Sequence, residues 1–251
     1  MYSTKLWDQS GENMRVKNGY LWLFIPIRCV MFLSTFIIGA FIVDKKLDEI
    51  SNWWSIVASA VNIVTILILV FVARLNNTSY KKLINYQKSK TTVKQIVGIS
   101  VVILVAGMLG MYLAGFICYG VIPYAAPMMI EPIPAWLAIL NVFLLPISTA
   151  FAEEGVYLGC GVNQIENKHS AVIIPALFFA LQHCFIPTLF DLTYILYRFL
   201  SFLPLTIILC RIYHKDRNPV PIMLGHAIID FATVIQILAT SLIPGFYESI
   251  V

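Results

Sequence analysis

The sequence predicts an all-α, polytopic transmembrane helical bundle with about seven to eight spans. Of the 251 residues, 59% are hydrophobic and only 12% are charged, which is about half the charged share of an ordinary soluble domain. The apolar residues also cluster into stretches long enough to cross a bilayer core, which takes about 20 residues at about 1.5 Å of rise each. We therefore expect residues 1–251 to form a single integral, multi-pass membrane domain, located in the cell membrane if the protein is bacterial.

Seven apolar stretches are predicted to span the membrane: residues 21–43, 53–75, 96–119, 135–162, 171–189, 192–213 and 220–242. The first is longer than the apolar region of a signal peptide, and no small-residue cleavage site follows it, so we expect it to be retained. The fourth is long enough to tilt, or to bend at Pro146. Residues 123–134 leave room for a short re-entrant or interfacial segment, which would be the eighth element.

Clustered lysine and arginine residues set the expected orientation. The loops over residues 76–95 and 211–217 are rich in them, so the positive-inside rule predicts that both loops are cytoplasmic. The loops at the other ends of the spans hold only Lys45 and Lys46 and should face outside. With seven spans, the N-terminus is then cytoplasmic. Because this topology accounts for much of the formal net charge of +4, we expect no nucleic-acid partner.

The first basic loop has a second interpretation. Its lysines could hold anionic lipid, with Tyr80, Leu83 and Ile84 forming an apolar stripe in the membrane interface. The topology rule alone favours a loop surrounded by solvent. The lipid bilayer is a partner of this chain under either interpretation.

Five ionisable residues lie inside the apolar stretches: Glu153, Glu154, His183, His226 and Asp230. Each acid costs roughly 3 kcal/mol to insert at the bilayer centre, so membrane proteins seldom carry such groups without a use. The five residues fall on the fourth, fifth and seventh predicted spans, and a shared water-filled cavity between those helices would satisfy them all. If the fourth helix continues to about residue 162, they reach a common layer in the cytoplasmic half of the membrane.

The spacing along each helix supports a shared site. Residues four apart lie on one helix face, so His226 and Asp230 should project together, and Phe179 should pack against the ring of His183. The adjacent residues Glu153 and Glu154 should point about 100° apart. We therefore expect one glutamate to face the cavity and the other to support it.

Peptide hydrolysis needs such a set of groups. A base must take a proton from water, and donors must hold the oxyanion of the tetrahedral intermediate. One of the two glutamates could be the base, a neighbouring imidazole could orient the water, and His226 with Asp230 could supply the oxyanion donor. No cofactor is then required. The same groups could instead ligate zinc through two histidines and a glutamate, and the sequence does not separate these versions. The five cysteines lie singly and show no spacing typical of a metal cage.

Three motifs in this region resemble those of the CPBP family of intramembrane proteases, which contains the CAAX prenyl endopeptidases and the bacterial Abi or bacteriocin-processing and immunity proteins. Residues 153–159, EEGVYLG, resemble the family's EExxxR motif; residues 179–183, FALQH, resemble FxxxH; and residues 226–230, HAIID, resemble HxxxN/D. The motif-bearing core extends over about 135–240, whereas the first three spans match only in hydropathy.

The resemblance implies a role for each of the five residues. Glu153 and His183 would activate water, His226 and Asp230 would form the oxyanion site, and Glu154 would support them. The sequence departs from the family at Leu158, where the motif has arginine. This change removes a fixed cation beside two carboxylates.

Three hypotheses follow. The first is an intramembrane endopeptidase, glutamic or metallo in type, which cleaves a peptide or protein substrate in a cavity open to the cytoplasmic side. The second is a non-catalytic scaffold or bacteriocin-immunity protein that lost activity with the arginine. The third is a small-solute transporter, in which acids and histidines in the membrane are also normal. Taken singly, a histidine could make only an interhelical hydrogen bond, and Asp230 could simply pair with Arg198.

Overall fold

A computed structural model describes residues 5–7, 13–16, 20–88, 90–124 and 126–251. Two short strands, β1 (Lys5–Trp7) and β2 (Asn13–Val16), pair antiparallel. The rest of the regular structure in the described chain is helical. The expected cytoplasmic N-terminal segment lies largely outside the described residues.

The described residues form nine α-helices: α1 (Ile27–Val43), α2 (Trp54–Leu75), α3 (Tyr80–Leu83), α4 (Val93–Tyr119), α5 (Ala135–Glu154), α6 (Lys168–His183), α7 (Leu192–Asp216), α8 (Val220–Leu242) and α9 (Phe246–Ile250). Short 3₁₀ helices cover Leu21–Phe24, Asp48–Trp53 and Pro127–Met129. A π-helix, Gly155–Val162, continues α5 without a break.

Six helical segments of the described chain are long and apolar enough to cross a membrane: Leu21–Val43, Asp48–Leu75, Val93–Tyr119, Ala135–Val162, Leu192–Asp216 and Val220–Leu242. The chain is therefore a multi-pass membrane protein, and six of the expected seven to eight spans are long apolar helices. The predicted fifth span, residues 171–189, was wrong in its bounds, because α6 has 16 residues and ends at His183. At about 1.5 Å per residue it is roughly 24 Å long, shorter than a bilayer core of about 30 Å.

The two basic loops lie at one end of the bundle, which we call the basic end. Asn85 Nδ2 donates to the carbonyl of Arg217 at 3.0 Å, so the first basic loop contacts the second. Asn163, at the end of the π-helix, donates to the carbonyl of Leu83 at 2.9 Å. The predicted grouping of the two loops is thus confirmed, while the side of the membrane that they face stays a prediction.

The remaining loops meet at the opposite end. Trp54 Nε1 donates to the carbonyl of Met129 at 3.2 Å, and the hydroxyl of Tyr197 donates to the carbonyl of Tyr124 at 3.3 Å. The chain therefore passes between the two ends seven times. Helix α6 with residues 184–191 makes the pass that lacks a long apolar helix. The expected element in residues 123–134 is one 3₁₀ turn.

The apolar stripe suggested for the first basic loop does not form. Leu83 and Ile84 are 5% and 3% exposed and pack inside the protein. The hydroxyl of Tyr80 donates to the carbonyl of Phe151 at 2.5 Å, which ties the loop to α5. These three residues therefore stabilise the bundle and do not form a stripe in the membrane interface.

Small residues let the helices approach closely, as is usual where no aqueous hydrophobic effect drives helix association. Helix α5 packs between α2 and α8, and α7 packs between α4 and α6. A Cβ on Gly110 would lie 2.2 Å from the carbonyl oxygen of Ser201, so α4 and α7 touch through their backbones. Large apolar side chains such as Phe41 and Phe143 face outward, while the charged groups of α5 and α8 lie inside. This inverted arrangement suits a lipid environment.

Candidate active site

The predicted site residues lie at the interface of α5, α6 and α8. Glu153 and Glu154 end α5, His183 ends α6, and His226 lies in the first two turns of α8. All four are at most 7% exposed, whereas the side chain of Asp230 is 19% exposed. The structure brings both glutamates, His226 and Asp230 into contact.

His226 is the centre of this cluster. Its Nδ1 lies 2.8 Å from Glu154 Oε1, and its Nε2 lies 3.7 Å from Glu153 Oε2 and 4.0 Å from Asp230 Oδ1. Both ring nitrogens face carboxylate oxygens, so an N–H on either nitrogen would point to a carboxylate acceptor. The expected joint projection of His226 and Asp230 is confirmed. The two longer distances exceed a direct hydrogen bond and are of the size that a bridging water spans.

Both glutamates reach His226, so which of them acts and which supports stays a prediction. Glu153 and Glu154 approach the two opposite nitrogens of the same ring. The helix changes from α to π immediately after them, with the Asn163 amide bonding the Leu158 carbonyl five residues back at 3.0 Å. Three glycines in this segment have weak helix propensity. Such π turns are frequent at functional sites in proteins.

His183 lies one helical turn beyond Phe179. The two rings stack with centroids 5.9 Å apart, as predicted, and Phe179 also lies 6.0 Å from the ring of His226. His183 Nδ1 is 2.8 Å from the carbonyl of Phe179, and because that carbonyl can only accept, Nδ1 carries the proton of the neutral ring. Nε2 is then an acceptor. Phe202 stacks on the same imidazole at 3.6 Å.

Arg198 supports His183 and does not pair with Asp230. Its Nε donates to the carbonyl of His183 and its Nη2 to that of Ile186, both at 3.1 Å. Its guanidinium also lies 4.8 Å from the ring centre of Phe202. The simple pairing of Asp230 with Arg198 was therefore wrong, because this arginine is occupied by the end of α6.

A cation that the sequence interpretation missed lies against Glu153. Arg28, on α1, is fully buried and its Nη2 donates to Glu153 Oε1 at 2.9 Å. The same guanidinium donates to Gln182 Oε1 at 2.6 Å, to Asn62 Oδ1 at 2.8 Å and to Thr65 Oγ1 at 3.2 Å. Four of its five N–H donors are therefore used.

The signal for Arg28 was present in the sequence. It is an ionisable residue within the first predicted span, residues 21–43, so the insertion cost that singled out the other five residues applies to it equally. Gln182 and Asn62 carried no comparable signal, because uncharged amides cost less to insert and are common between membrane helices.

Three carboxylate oxygens at the site are buried and receive no hydrogen bond from the described residues. They are Glu153 Oε2, Glu154 Oε2 and Asp230 Oδ2. Buried acceptors of this kind are rare and call for a function or a bound water. On Glu153 the two oxygens therefore differ, since Oε1 is held by Arg28 and Oε2 is free to act.

Residues 134–232 match the family model for the type II CAAX prenyl endopeptidase Rce1-like proteins. All five predicted site residues fall within this match. The match supports a CPBP family protein. No curated protein and no solved structure matches it. The family supports a CAAX-type intramembrane protease kind of function, with a peptide substrate and a lipid bilayer around the enzyme.

The chain keeps both glutamates of the EExxxR motif but has Leu158 where that motif has arginine. That side chain is fully buried in an apolar cluster with residues such as Leu21 and Ile25. Nothing in that cluster requires a charge at position 158. Within the described part of the chain, the cation against Glu153 comes from α1.

The expected shared cavity is distinct from one groove in the described chain. A groove of about 660 Å³ lies at the opposite end, lined by residues 45–48 and 189–191 together with Ile37 and Ala40. None of the five site residues lines it.

The zinc version does not fit the donor arrangement. Among the residues that the structure describes, no three His, Cys, Asp or Glu side chains are placed to hold a metal ion. Glu153 Oε1 is bound to a guanidinium, and His226 Nδ1 is bound to Glu154. We therefore derive no step through a metal. The five cysteines, in turn, are all free.

Proposed function

We propose that this protein is a membrane-embedded endopeptidase that hydrolyses a peptide bond with a water activated by Glu153. The substrate class that suits the family is a peptide with a lipidated, CAAX-type C-terminus, entering from the cytoplasmic side. The observation that carries the proposal is the asymmetric environment of Glu153. Arg28 binds one oxygen at 2.9 Å, while the other is buried, receives no hydrogen bond from the described residues and faces His226.

The hydrolytic step that we propose uses Glu153, His183 and His226. A water between Glu153 Oε2 and the acceptor Nε2 of His183 gives a proton to Glu153 as its oxygen attacks the scissile carbonyl carbon. The carbonyl π electrons move to oxygen, and the N–H at His226 Nε2 holds the resulting oxyanion. The C–N bond then breaks, and the proton on Glu153 passes to the leaving amine.

Glu154 and Asp230 serve His226 in this scheme. Glu154 Oε1 accepts from Nδ1 at 2.8 Å and so fixes the plane and tautomer of the ring. Asp230 Oδ1, at 4.0 Å from Nε2, stabilises a positive imidazole when charge builds up on the substrate oxygen. Neither carboxylate needs to contact the substrate.

The scaffold hypothesis rested on the missing motif arginine. Because Arg28 places a guanidinium against Glu153, loss of the cation at Leu158 no longer argues for loss of activity. The transporter hypothesis draws on the same buried acids, but the ordered motifs and the family match favour hydrolysis.

The direct test is hydrolysis of a defined peptide by the purified protein in lipid vesicles. The probe is a farnesylated CAAX-type peptide with a fluorophore and a quencher on either side of the scissile bond. Glu153→Gln should lower its hydrolysis by roughly 10²- to 10⁴-fold, because the amide matches the carboxylate in size but cannot take a proton from water.

Glu248→Gln is the matched control, since it makes the same chemical change at an exposed residue of α9. It should hydrolyse the peptide at the wild-type rate. If Glu153→Gln hydrolyses the peptide at the wild-type rate, compared at equal amounts of folded protein, Glu153 is not a catalytic residue. If the peptide without its lipid is cleaved equally well, the protein does not recognise the lipid. If a metal chelator abolishes cleavage, the metallo version of the mechanism is favoured.

A further inference from the structure

Arg28 is the most densely bonded buried charge in the described chain. It lies on α1, outside the region that matches the family model, and no motif includes it. Its guanidinium joins α1 to three helices by contacting Gln182 on α6, Asn62 and Thr65 on α2, and Glu153 on α5. It is fully buried, so its charge has no access to solvent.

A buried cation of this kind is costly unless it has a purpose. Removing a guanidinium from water costs several kcal/mol, and replacing a buried ion pair by apolar residues is often neutral or stabilising. Stability alone therefore does not explain why α1 carries an arginine here. The only acid that it contacts within the described residues is Glu153, the proposed base.

We propose that Arg28 is the positioning residue for Glu153, supplying from α1 the cation that Leu158 does not supply from the α5 segment. The inference rests on the proposed function, which it deepens. Arg28 holds Glu153 ionised and holds its Oε1, so that Oε2 is presented to the water. Gln182 and Asn62 fix the guanidinium plane, and Gln182 Oε1 also accepts from the hydroxyl of Tyr157 at 2.9 Å.

The arrangement distinguishes arginine from lysine. A planar guanidinium can bind the carboxylate, the amides and the hydroxyl at once, whereas an ammonium has three donors on one atom. Arg28→Lys keeps the charge but cannot keep all four contacts. Arg28→Met removes both the charge and the contacts but keeps an unbranched side chain.

The ionisation of Glu153 can be measured without any substrate. The infrared spectrum of the wild type minus that of Glu153→Gln should contain the band of an ionised carboxylate and should lack the band of a protonated carboxyl group. The same difference taken in the Arg28→Met background should show a protonated carboxyl band. In the Arg28→Lys background, Glu153 should stay ionised while peptide hydrolysis falls about tenfold or more. Arg211→Met, which neutralises an exposed arginine near the C-terminal end of α7, should change neither the ionisation of Glu153 nor the rate of peptide hydrolysis.

Thermal unfolding keeps the test valid if Arg28→Met folds poorly. Arg28→Met combined with Glu153→Gln should melt higher than Arg28→Met alone, because the second change removes the unpaired acid. Glu153 remaining ionised in Arg28→Met, or additive effects of the two changes, would overturn the role of Arg28. If the infrared and melting results hold but the wild type cleaves no peptide, the proposed hydrolysis fails while the pairing of Arg28 with Glu153 stands.

Discussion

Helices α5, α6 and α8 supply the glutamates and histidines of the site, whereas α1 and α2 supply the groups that surround Glu153 from the other side. The first set carries the three ordered motifs and lies within the family match. The second set has no recognised motif and resembles the family only in hydropathy. Nevertheless Arg28, Asn62 and Thr65 form one hydrogen-bonded group that ends on Glu153.

The difference shows that a cation outside the three motifs can pair with a motif carboxylate. A side chain from a neighbouring helix reaches the same carboxylate when the helices pack closely enough. Helix α5 packs against α2, and α1 contacts both α2 and α6, so Glu153 is accessible from the N-terminal half. Motif comparison along one helix does not detect such a pairing, because the two positions are far apart in sequence.

The largest expected effect tests the C-terminal set. His226→Gln keeps a polar side chain but removes the ring that faces both glutamates and Asp230. Loss of an oxyanion donor usually costs about 10²- to 10³-fold in turnover. The measurement is the kcat for the farnesylated peptide, with the folded fraction determined by size exclusion. A change in KM alone would instead assign His226 to substrate binding.

A smaller effect, on stability, tests whether the site still has room for the motif arginine. Leu158→Arg should destabilise the fold by roughly 3 kcal/mol, the cost of inserting an unpaired cation, because position 158 is fully buried among apolar residues. Leu158→Met is the control and should cost less than about 1.5 kcal/mol. Both are measured as shifts in thermal unfolding. A rise in activity for Leu158→Arg with Arg28 intact would contradict the proposal that Arg28 supplies the cation in place of position 158.

Much of the fold followed from hydropathy and charge. The predicted spans coincide with six long helices, and the two basic loops meet through Asn85 and Arg217 as the charge rule implied. Helix α6 was overestimated because apolar residues continue past His183, and hydropathy does not reveal where a helix stops. The contacts that end α6 are made by Arg198, a residue of the next helix.

The site was predictable where charge marked it and not elsewhere. His226 and Asp230 were paired correctly from their spacing of four residues. The division of roles between Glu153 and Glu154 stays a prediction, since both side chains reach the ring of His226. The π-helix after Glu154 was not predicted, since it depends on tertiary packing of Gly155 and its neighbours against α2 and α3.

The smallest expected effect tests the outer edge of the N-terminal set. Thr65 accepts from Arg28 Nη1 at 3.2 Å and donates to the carbonyl of Val61 at 2.7 Å. Thr65→Val keeps the shape and removes both bonds, and hydrogen bonds between membrane helices average about 0.6 kcal/mol, which corresponds to about a threefold change. Arg28 keeps its contact with Glu153, so peptide hydrolysis should fall by about that factor or less, with Glu153 still ionised in the infrared difference spectrum. A loss as large as that of Arg28→Met would mean that the guanidinium is held mainly by α2, and that Glu153 follows its position instead of anchoring it.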